Sequence, residues 1–280
     1  MGFVINNNLA ANNSYRNLNA TQTDLSKSLE KLSTGLRINR AGDDAAGLSI
    51  SEGLKAQVTG SAQAARNAQD GISVIQTTEG ALTEVHSILQ RMRDLAVQGA
   101  NDTNNTDARN AIKSEGTALG QELDRITKGT NFNGITTLDS AKTLKIQVGT
   151  GGGTNDSISV SLVDTSSTGT LGTLAGTTNA GFDVTTAGNA QTTIGTIDTA
   201  IKAVSAQRAD LGATQNRLEH SIKSLNVAGE NLQAAQSRIA DVDMAQEMVK
   251  FTKANILSQA GTAMLAQANQ SSQGVLSLLR

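Results

Sequence analysis

The feature that most constrains this chain is one line of apolar residues: Ile194, Ile197, Ile201, Val204, Leu211, Leu218, Ile222, Leu225, Leu232 and Ile239. They fall on alternating three- and four-residue steps, and Arg208, Gln215, Gly229 and Gln236 occupy the skipped positions of the same seam. A 3.5-residue period lays a single stripe along a helix and favours left-handed packing against another helix. The chain contains no proline, so the strongest helix breaker is absent from all 280 residues.

Matching lines occur in the N-terminal half. Leu18, Leu25, Leu29, Leu32 and Leu36 form a helical seam that Ser33-Thr34-Gly35 is placed to end, since glycine suits a left-handed cap. A polar connector follows, Asn39-Arg40-Ala41-Gly42-Asp43-Asp44. Periodicity resumes through Leu54, Ala65, Ala68, Ile72, Ile75, Leu82, Val85, Leu89, Met92 and Ala96. After a turn at Asn101–Asp107, a third helix carries Ala108, Ile112, Leu119, Leu123 and Ile126, and Lys128-Gly129 fits its end.

Beyond Ile239 the register shifts. Val242, Val249, Ile256 and Ala263 form one line, which Met248, Phe251, Leu257, Met264 and Leu265 widen. Roughly the last 75 residues therefore read as helix, about 110 Å long if continuous at ~1.5 Å per residue. The expected partner is the N-terminal helical half. Segments 1–40 and 241–280 carry seams too narrow to be stable alone, because such helices draw their stability from tertiary packing. They are expected to order when neighbouring copies supply apolar surface.

The middle differs. Between 151 and 190, Ser, Thr and Gly make up more than half of the residues, and the only charges are Asp156, Asp164 and Asp183. Leu144, Ile146 and Val148 alternate with polar residues, as do Ile158, Val160 and Leu162. With Gly149-Thr150-Gly151-Gly152-Gly153 between them, these two runs predict a β-hairpin with a long loop. The fold class is thus mainly α: long antiparallel, coiled-coil-like helices from both chain ends, with a small β-hairpin region in the middle.

Composition narrows the function. Lys and Arg number 23 against 25 Asp and Glu, so no global field draws in nucleic acid or an anionic membrane. Five aromatics and no Trp leave Ala, Leu, Ile and Val to build the core, as in helical bundles. Without Cys there is no disulfide, thiol nucleophile or thiolate metal site. No run approaches the ~18 apolar residues of a membrane span. The opening Met-Gly-Phe-Val-Ile-Asn-Asn-Asn lacks a basic segment followed by an apolar run, so departure from the cell implies a dedicated export route.

Candidate chemistry is sparse. His86 and His220 belong to no His-Glu-x-x-His motif and read as polar residues on or between helices. Gly151-Gly152-Gly153 lacks the Gly-Lys-Ser/Thr ending and following helix of a phosphate cradle. Asp43 and Asp44 lie near Arg37 and Arg40 without a histidine or second acidic cluster. The favoured reading is a connector whose charges form ion pairs within or between subunits; a solvated turn is the alternative. No enzyme activity, metal or cofactor is indicated.

Several long runs resemble one family, bacterial flagellin. The block Leu32-Ser33-Thr34-Gly35-Leu36-Arg37-Ile38-Asn39-Arg40-Ala41-Gly42-Asp43-Asp44-Ala45-Ala46-Gly47-Leu48 resembles its N-terminal signature. So do Gln90-Arg91-Met92-Arg93-Asp94-Leu95-Ala96-Val97-Gln98 and Thr130-Asn131-Phe132-Asn133-Gly134. At the other end, Ser237-Arg238-Ile239-Ala240-Asp241-Val242-Asp243 and Val275-Leu276-Ser277-Leu278-Leu279-Arg280 match as well. The short middle departs from long flagellins and implies that their large outer domains are lacking.

The resemblance implies an inner-tube domain of terminal helices with their connector, residues 1–44 and 241–280. It implies an outer-tube helical domain from 45 to 240, whose 130–190 stretch holds the hairpin and a variable surface. That surface is either a bare solvated loop or a platform for O-linked glycans. The function implied is the structural subunit of the flagellar filament used for swimming, extracellular, exported unfolded by the flagellar secretion system and assembled at the tip. Implied partners are other copies, an export chaperone on the C-terminal helix, and the filament cap and junction proteins. The polymerisation seams are Leu18, Leu25, Leu29, Leu32, Val249, Phe251, Ile256 and Leu265. Arg91, Leu95 and Glu115 match positions that form the binding surface in flagellins recognised by the vertebrate innate receptor for flagellin. A hook–filament junction protein is the alternative within the same machinery, and a coiled-coil enzyme or scaffold is the alternative outside it.

Overall fold

The computed structural model describes residues 8–166, 171–175 and 181–278, with backbone alone at 173 and 271–278. The chain divides into two compact units, Met1–Val58 with Glu230–Arg280, and Thr59–Gly229. The helices are α1 (Leu9–Thr34), α2 (Ala45–Gly99), α3 (Thr106–Gly129), α4 (Ala187–Ala240) and α5 (Met244–Leu278). The strands are β1 (Asn131–Phe132), β2 (Ile135–Thr136), β3 (Lys142–Gln147) and β4 (Ser157–Leu162).

A short polar side chain opens every helix, because the first turn leaves backbone N–H groups without helical partners. Asn8 Oδ1 accepts from Ala11 N and Asn105 Oδ1 from Ala108 N. Asp44 Oδ1 accepts from Gly47 N, and Thr186 Oγ1 from Asn189 N. Asp243 Oδ1 takes the amides of Ala245 and Gln246. This last cap marks a break in the stretch expected as one continuous helix. The C-terminal stretch is two helices rather than one, interrupted between Ala240 and Met244. There the backbone of Asp241 forms an isolated antiparallel bridge with Leu36.

In the unit formed by the chain ends, α1 and α5 run antiparallel along each other. Asn8 Nδ2 donates to Ala268 O at one end, and Ser28 Oγ donates to Glu247 Oε1 near the other. The inward side of α1 carries Ala11, Ser14, Leu18, Thr21, Leu25, Ser28 and Leu32, buried or half-buried at three- and four-residue steps. On α5 the inward side is Glu247, Phe251, Ala254, Ser258, Gly261, Leu265 and Ala268. The line through Val249 and Ile256 lies on the outside of the pair, 69% and 61% exposed. Small residues decide this register: a Cβ added at Gly261 would come 3.2 Å from Leu18 Cδ1, so the backbones approach where Ala and Gly allow it.

The Thr59–Gly229 unit is built on the parts of α2 and α4 that it contains. Their antiparallel course shows in the Arg93–Asp198 and Glu79–Arg208 ion pairs. Ile75, Leu82, Val85, Leu89 and Met92 are fully buried together with Ile197, Val204 and Leu218 of the α4 seam. Burying such a side chain contributes about 1.5–3 kcal/mol. In α3, Ile112 and Leu123 join the same core.

Strands β3 and β4 form the expected hairpin, with Leu144 opposite Val160 and Ile146 opposite Ile158. Its apolar face lies against the helices. Ile146 covers Gly71, and Gln207 Nε2 donates to Ser161 O. A second, two-residue hairpin pairs Phe132 with Ile135. Asn133 and Gly134, both at positive φ (49° and 78°), make its turn. Within the Ser/Thr-rich middle, 167–170 and 176–180 lie outside the described residues, and so does that part of the glycan reading.

Arg109, unremarked in the sequence, ties the loop between α2 and α3 together. Its guanidinium donates to the carbonyls of Gly99 (2.9 Å) and Asn101 (3.2 Å) and to Asp102 Oδ1 (3.2 Å). Longer contacts reach the carbonyls of Asn104 and Val184, both at 3.4 Å. A buried cation thereby neutralises the carbonyl-rich end of α2, where the helix dipole favours positive charge.

Candidate assembly surface

The outward side of α5 is an apolar surface that the helix pair leaves uncovered. Met248, Val249, Ile256, Leu257 and Met264 are all exposed there. Met248, Val249, Ile256 and Leu257, with Thr252 and Lys253, line a shallow groove of about 440 Å³. Contiguous exposed apolar patches on a soluble chain mark interaction surfaces. The expected polymerisation seams divide between two sides. Leu18, Leu25, Leu32, Phe251 and Leu265 are half-buried on the sides α1 and α5 turn toward each other. Leu29, Val249 and Ile256 face outward.

Inside the chain the connector's charges find partners other than one another. None of Arg37, Arg40, Asp43 and Asp44 pairs with another of the four inside the chain. Arg37 donates from its side chain to Ile239 O and from its backbone to Ala240 O, where it holds the antiparallel bridge. Arg40 pairs with Glu30 at 2.9 Å. Asp43 Oδ2 accepts the amides of Asn39 and Arg40, and Asp44 caps α2. The reason is local: a tight turn presents unpaired amides at closer range than a flexible guanidinium. The Arg40 and Asn39 amides hold the Asp43 carboxyl below the usual aspartate range.

Arg91 and Glu115 meet across α2 and α3 in an exposed ion pair, Arg91 Nη2 to Glu115 Oε1 at 2.6 Å. Leu95 does not join them at the surface. It is 2% exposed and belongs to the helical core. The period of α2 places Leu95 on the stripe of Leu82, Leu89 and Met92, a signal already present in the sequence. His86 approaches Gln90 at 3.0 Å, and His220 is exposed. Among the described residues no group of three His, Asp or Glu is placed to hold a metal, and no helix is long and apolar enough to cross a membrane.

Two family profiles match this chain: the bacterial flagellin N-terminal helical region over residues 5–143 and the C-terminal helical region over 194–279. A flagellin of Halalkalibacterium halodurans is 54% identical over 278 residues, covering 99% of this chain and 100% of the relative. This chain belongs to the bacterial flagellin family. The flagellar filament 33 kDa core protein of Treponema phagedenis is 46% identical over 285 residues, with 99% and 100% covered. The crystal structure of Bacillus cereus flagellin superposes with a TM-score of 0.50 at 34% identity, covering 57% of this chain and 88% of that one.

The flagellin is of the short form, a structural filament subunit rather than a member of an enzyme family. The two profiles leave 144–193 between them, the part that carries most of β3, all of β4 and the Ser/Thr-rich stretch. Nothing in these matches favours the hook–filament junction alternative.

Proposed function

We propose that this flagellin polymerises into the swimming filament through the outward stripe of α5, with the paired α1 and α5 forming the inner tube of the polymer. The observation that carries the reading is the line Met248, Val249, Ile256, Leu257 and Met264, left uncovered while the opposite side of α5 is taken by α1. At about 25 cal/mol per Å² of apolar surface buried, repetition of such a contact along a helical polymer stabilises it cooperatively. Residues 1–44 and 241–280 form the inner-tube part in this reading, and 45–240 the outer tube.

The same stripe needs covering before export, which suits an export chaperone on the C-terminal helix. The chain travels unfolded through the flagellar secretion system and is placed at the tip beneath the cap, with junction proteins at the filament base. The exposed Arg91–Glu115 pair is a contact surface for a neighbouring subunit and for the vertebrate innate receptor. Leu95 supports that surface from beneath.

The test is reassembly. Filaments are dissociated in acid, neutralised, seeded with short fragments and imaged. Long helical filaments are expected from the full chain. None is expected after deletion of 1–40 or 241–280, which should leave a helical, soluble remainder. Filaments from either truncated chain overturn the reading.

A further inference from the structure

Sulfur is scarce in this chain and unevenly placed. There is no cysteine and no tryptophan, so the five methionine thioethers are its most readily oxidised side chains. Met92 is fully buried in the helical core of the Thr59–Gly229 unit. The other three described methionines, Met244, Met248 and Met264, all lie on α5 and are 48%, 50% and 63% exposed. Two of them border the uncovered apolar stripe. Met248 lines the outer groove with Val249, Thr252 and Ile256. Met264 lines a second groove with Leu257 and Gly261, beside Leu18 of α1. They stand roughly 24 Å apart along the helix at ~1.5 Å per residue, one thioether toward each end of the stripe.

Oxidation changes what these side chains can do. A peroxide gives one oxygen to a thioether. The sulfur lone pair attacks the peroxide, the O–O bond breaks and an S–O bond forms. The departing hydroxide takes the proton of the transferred hydroxyl and leaves as water. The sulfur loses two electrons and the peroxide gains them. A flexible apolar side chain becomes a polar, chiral sulfoxide with a strong acceptor oxygen. On an exposed surface water solvates that oxygen, so the fold loses nothing. Against a second copy the oxygen needs a donor that an apolar contact does not offer, and burying it without one is costly.

We propose that Met248 and Met264 are oxidation sites that govern whether a free subunit joins the polymer. As thioethers they admit the next copy to the α5 stripe, as sulfoxides they bar it, and assembly shields them from peroxide. The inference rests on the reading of that stripe as the contact between copies. It does not need α5 to be ordered in the free chain. Solvent reaches both sulfurs in the helix pair, and reaches an unpaired segment more freely still.

The test uses the full chain. Filaments are dissociated in acid and neutralised, and the subunits are treated with dilute hydrogen peroxide and quenched. Sulfoxides are mapped by peptide mass, and the critical concentration for seeded assembly is read by pelleting. Met248 and Met264 should oxidise while Met92 does not. Helical signal and melting midpoint should hold, and the critical concentration should rise at least tenfold. Treatment with the two stereospecific methionine sulfoxide reductases should restore it. Met248→Leu with Met264→Leu removes both sulfurs at similar volume. Its critical concentration is compared with that of the same variant left untreated, and that ratio should stay near one. The same peroxide dose on intact filaments should oxidise both positions at least tenfold more slowly.

Assembly of fully oxidised subunits at the untreated critical concentration overturns the inference. So does a peroxide effect in the double Leu variant as large as in the parent, which would assign it to Met244 or Met1. Equal oxidation in filament and subunit overturns the shielding. Val249→Asp with Ile256→Asp probes the stripe without any oxidant. If that variant assembles normally, the reading of the stripe fails and takes this inference with it. If that variant fails to assemble while oxidised parent subunits assemble normally, the stripe stands and the oxidation sites alone are refuted.

Discussion

Replacing Arg109 with Met tests whether a buried guanidinium holds the α2–α3 junction. The side chain is only 10% exposed and forms three well-placed hydrogen bonds, to Gly99 O, Asn101 O and Asp102 Oδ1. Methionine keeps most of the volume and removes every donor. The contact to Gly99 O is fully buried, so that carbonyl is left unpaired at a cost of about 1–3 kcal/mol. The other two acceptors are partly buried and can turn to water, so each loses about 0.5–1 kcal/mol. The sum is about 2–5 kcal/mol.

For a domain of roughly 150–250 residues, each kcal/mol moves the midpoint by ~2–4 °C, giving a drop of about 10 °C. The assay is thermal unfolding of the monomer followed by circular dichroism, with hydrogen exchange read near Gly99. Lysine at 109 retains the charge but not the planar fork, and should recover about half. A Met variant melting within about 2 °C of the parent refutes the assignment. A Lys variant equal to the parent shows that charge alone suffices.

Asp44→Ala should cost about 1 kcal/mol by uncapping α2, with faster amide exchange at Gly47, and Asp44→Asn should be close to neutral. The Asp43 and Glu247 carboxyls are both held below their usual range, so each contributes stability above its unfolded pKa. That contribution is lost as pH falls through the folded values, which lie below the ordinary range of each carboxyl. A pH titration of monomer stability should therefore lose a step in that window in Glu247→Gln. Val249→Asp with Ile256→Asp should leave monomer melting unchanged and raise the critical concentration for seeded assembly at least tenfold, as read by pelleting. In a cell-based receptor assay, Arg91→Ala should lower potency without altering the fold. Leu95→Ala should destabilise the monomer by about 2–5 kcal/mol, visible in its melting curve.

Much of this fold is legible in the sequence, and the exceptions have physical causes. The α4 seam works because Ile197, Val204, Leu211 and Leu218 bury completely against large partners. In α5 the bulky line through Val249 and Ile256 does not face α1. Helices that approach closely select small residues, so Ala254, Ser258 and Gly261 took the inward side and left the bulky ones out. The helix break at Asp241–Asp243 hides because no Gly or Pro announces it. Only the Asp243 cap and the bridge to Leu36 reveal it. Arg109 and the Ser28–Glu247 pair escape because both depend on partners that three-dimensional closure supplies.

The pairing of the first helix with the last has a consequence for how the protein comes into being. α2 waits for α4 to complete the core of its unit, and α1 waits longer still. Its partner α5 is made only after α2, α3 and α4. The closing contact spans nearly the whole sequence, as the bond from Asn8 to the Ala268 carbonyl shows. Such long closures are slow. The helix pair therefore acts as a completeness check: a chain cut short anywhere before α5 keeps an unpaired α1 and cannot present the outward stripe at all.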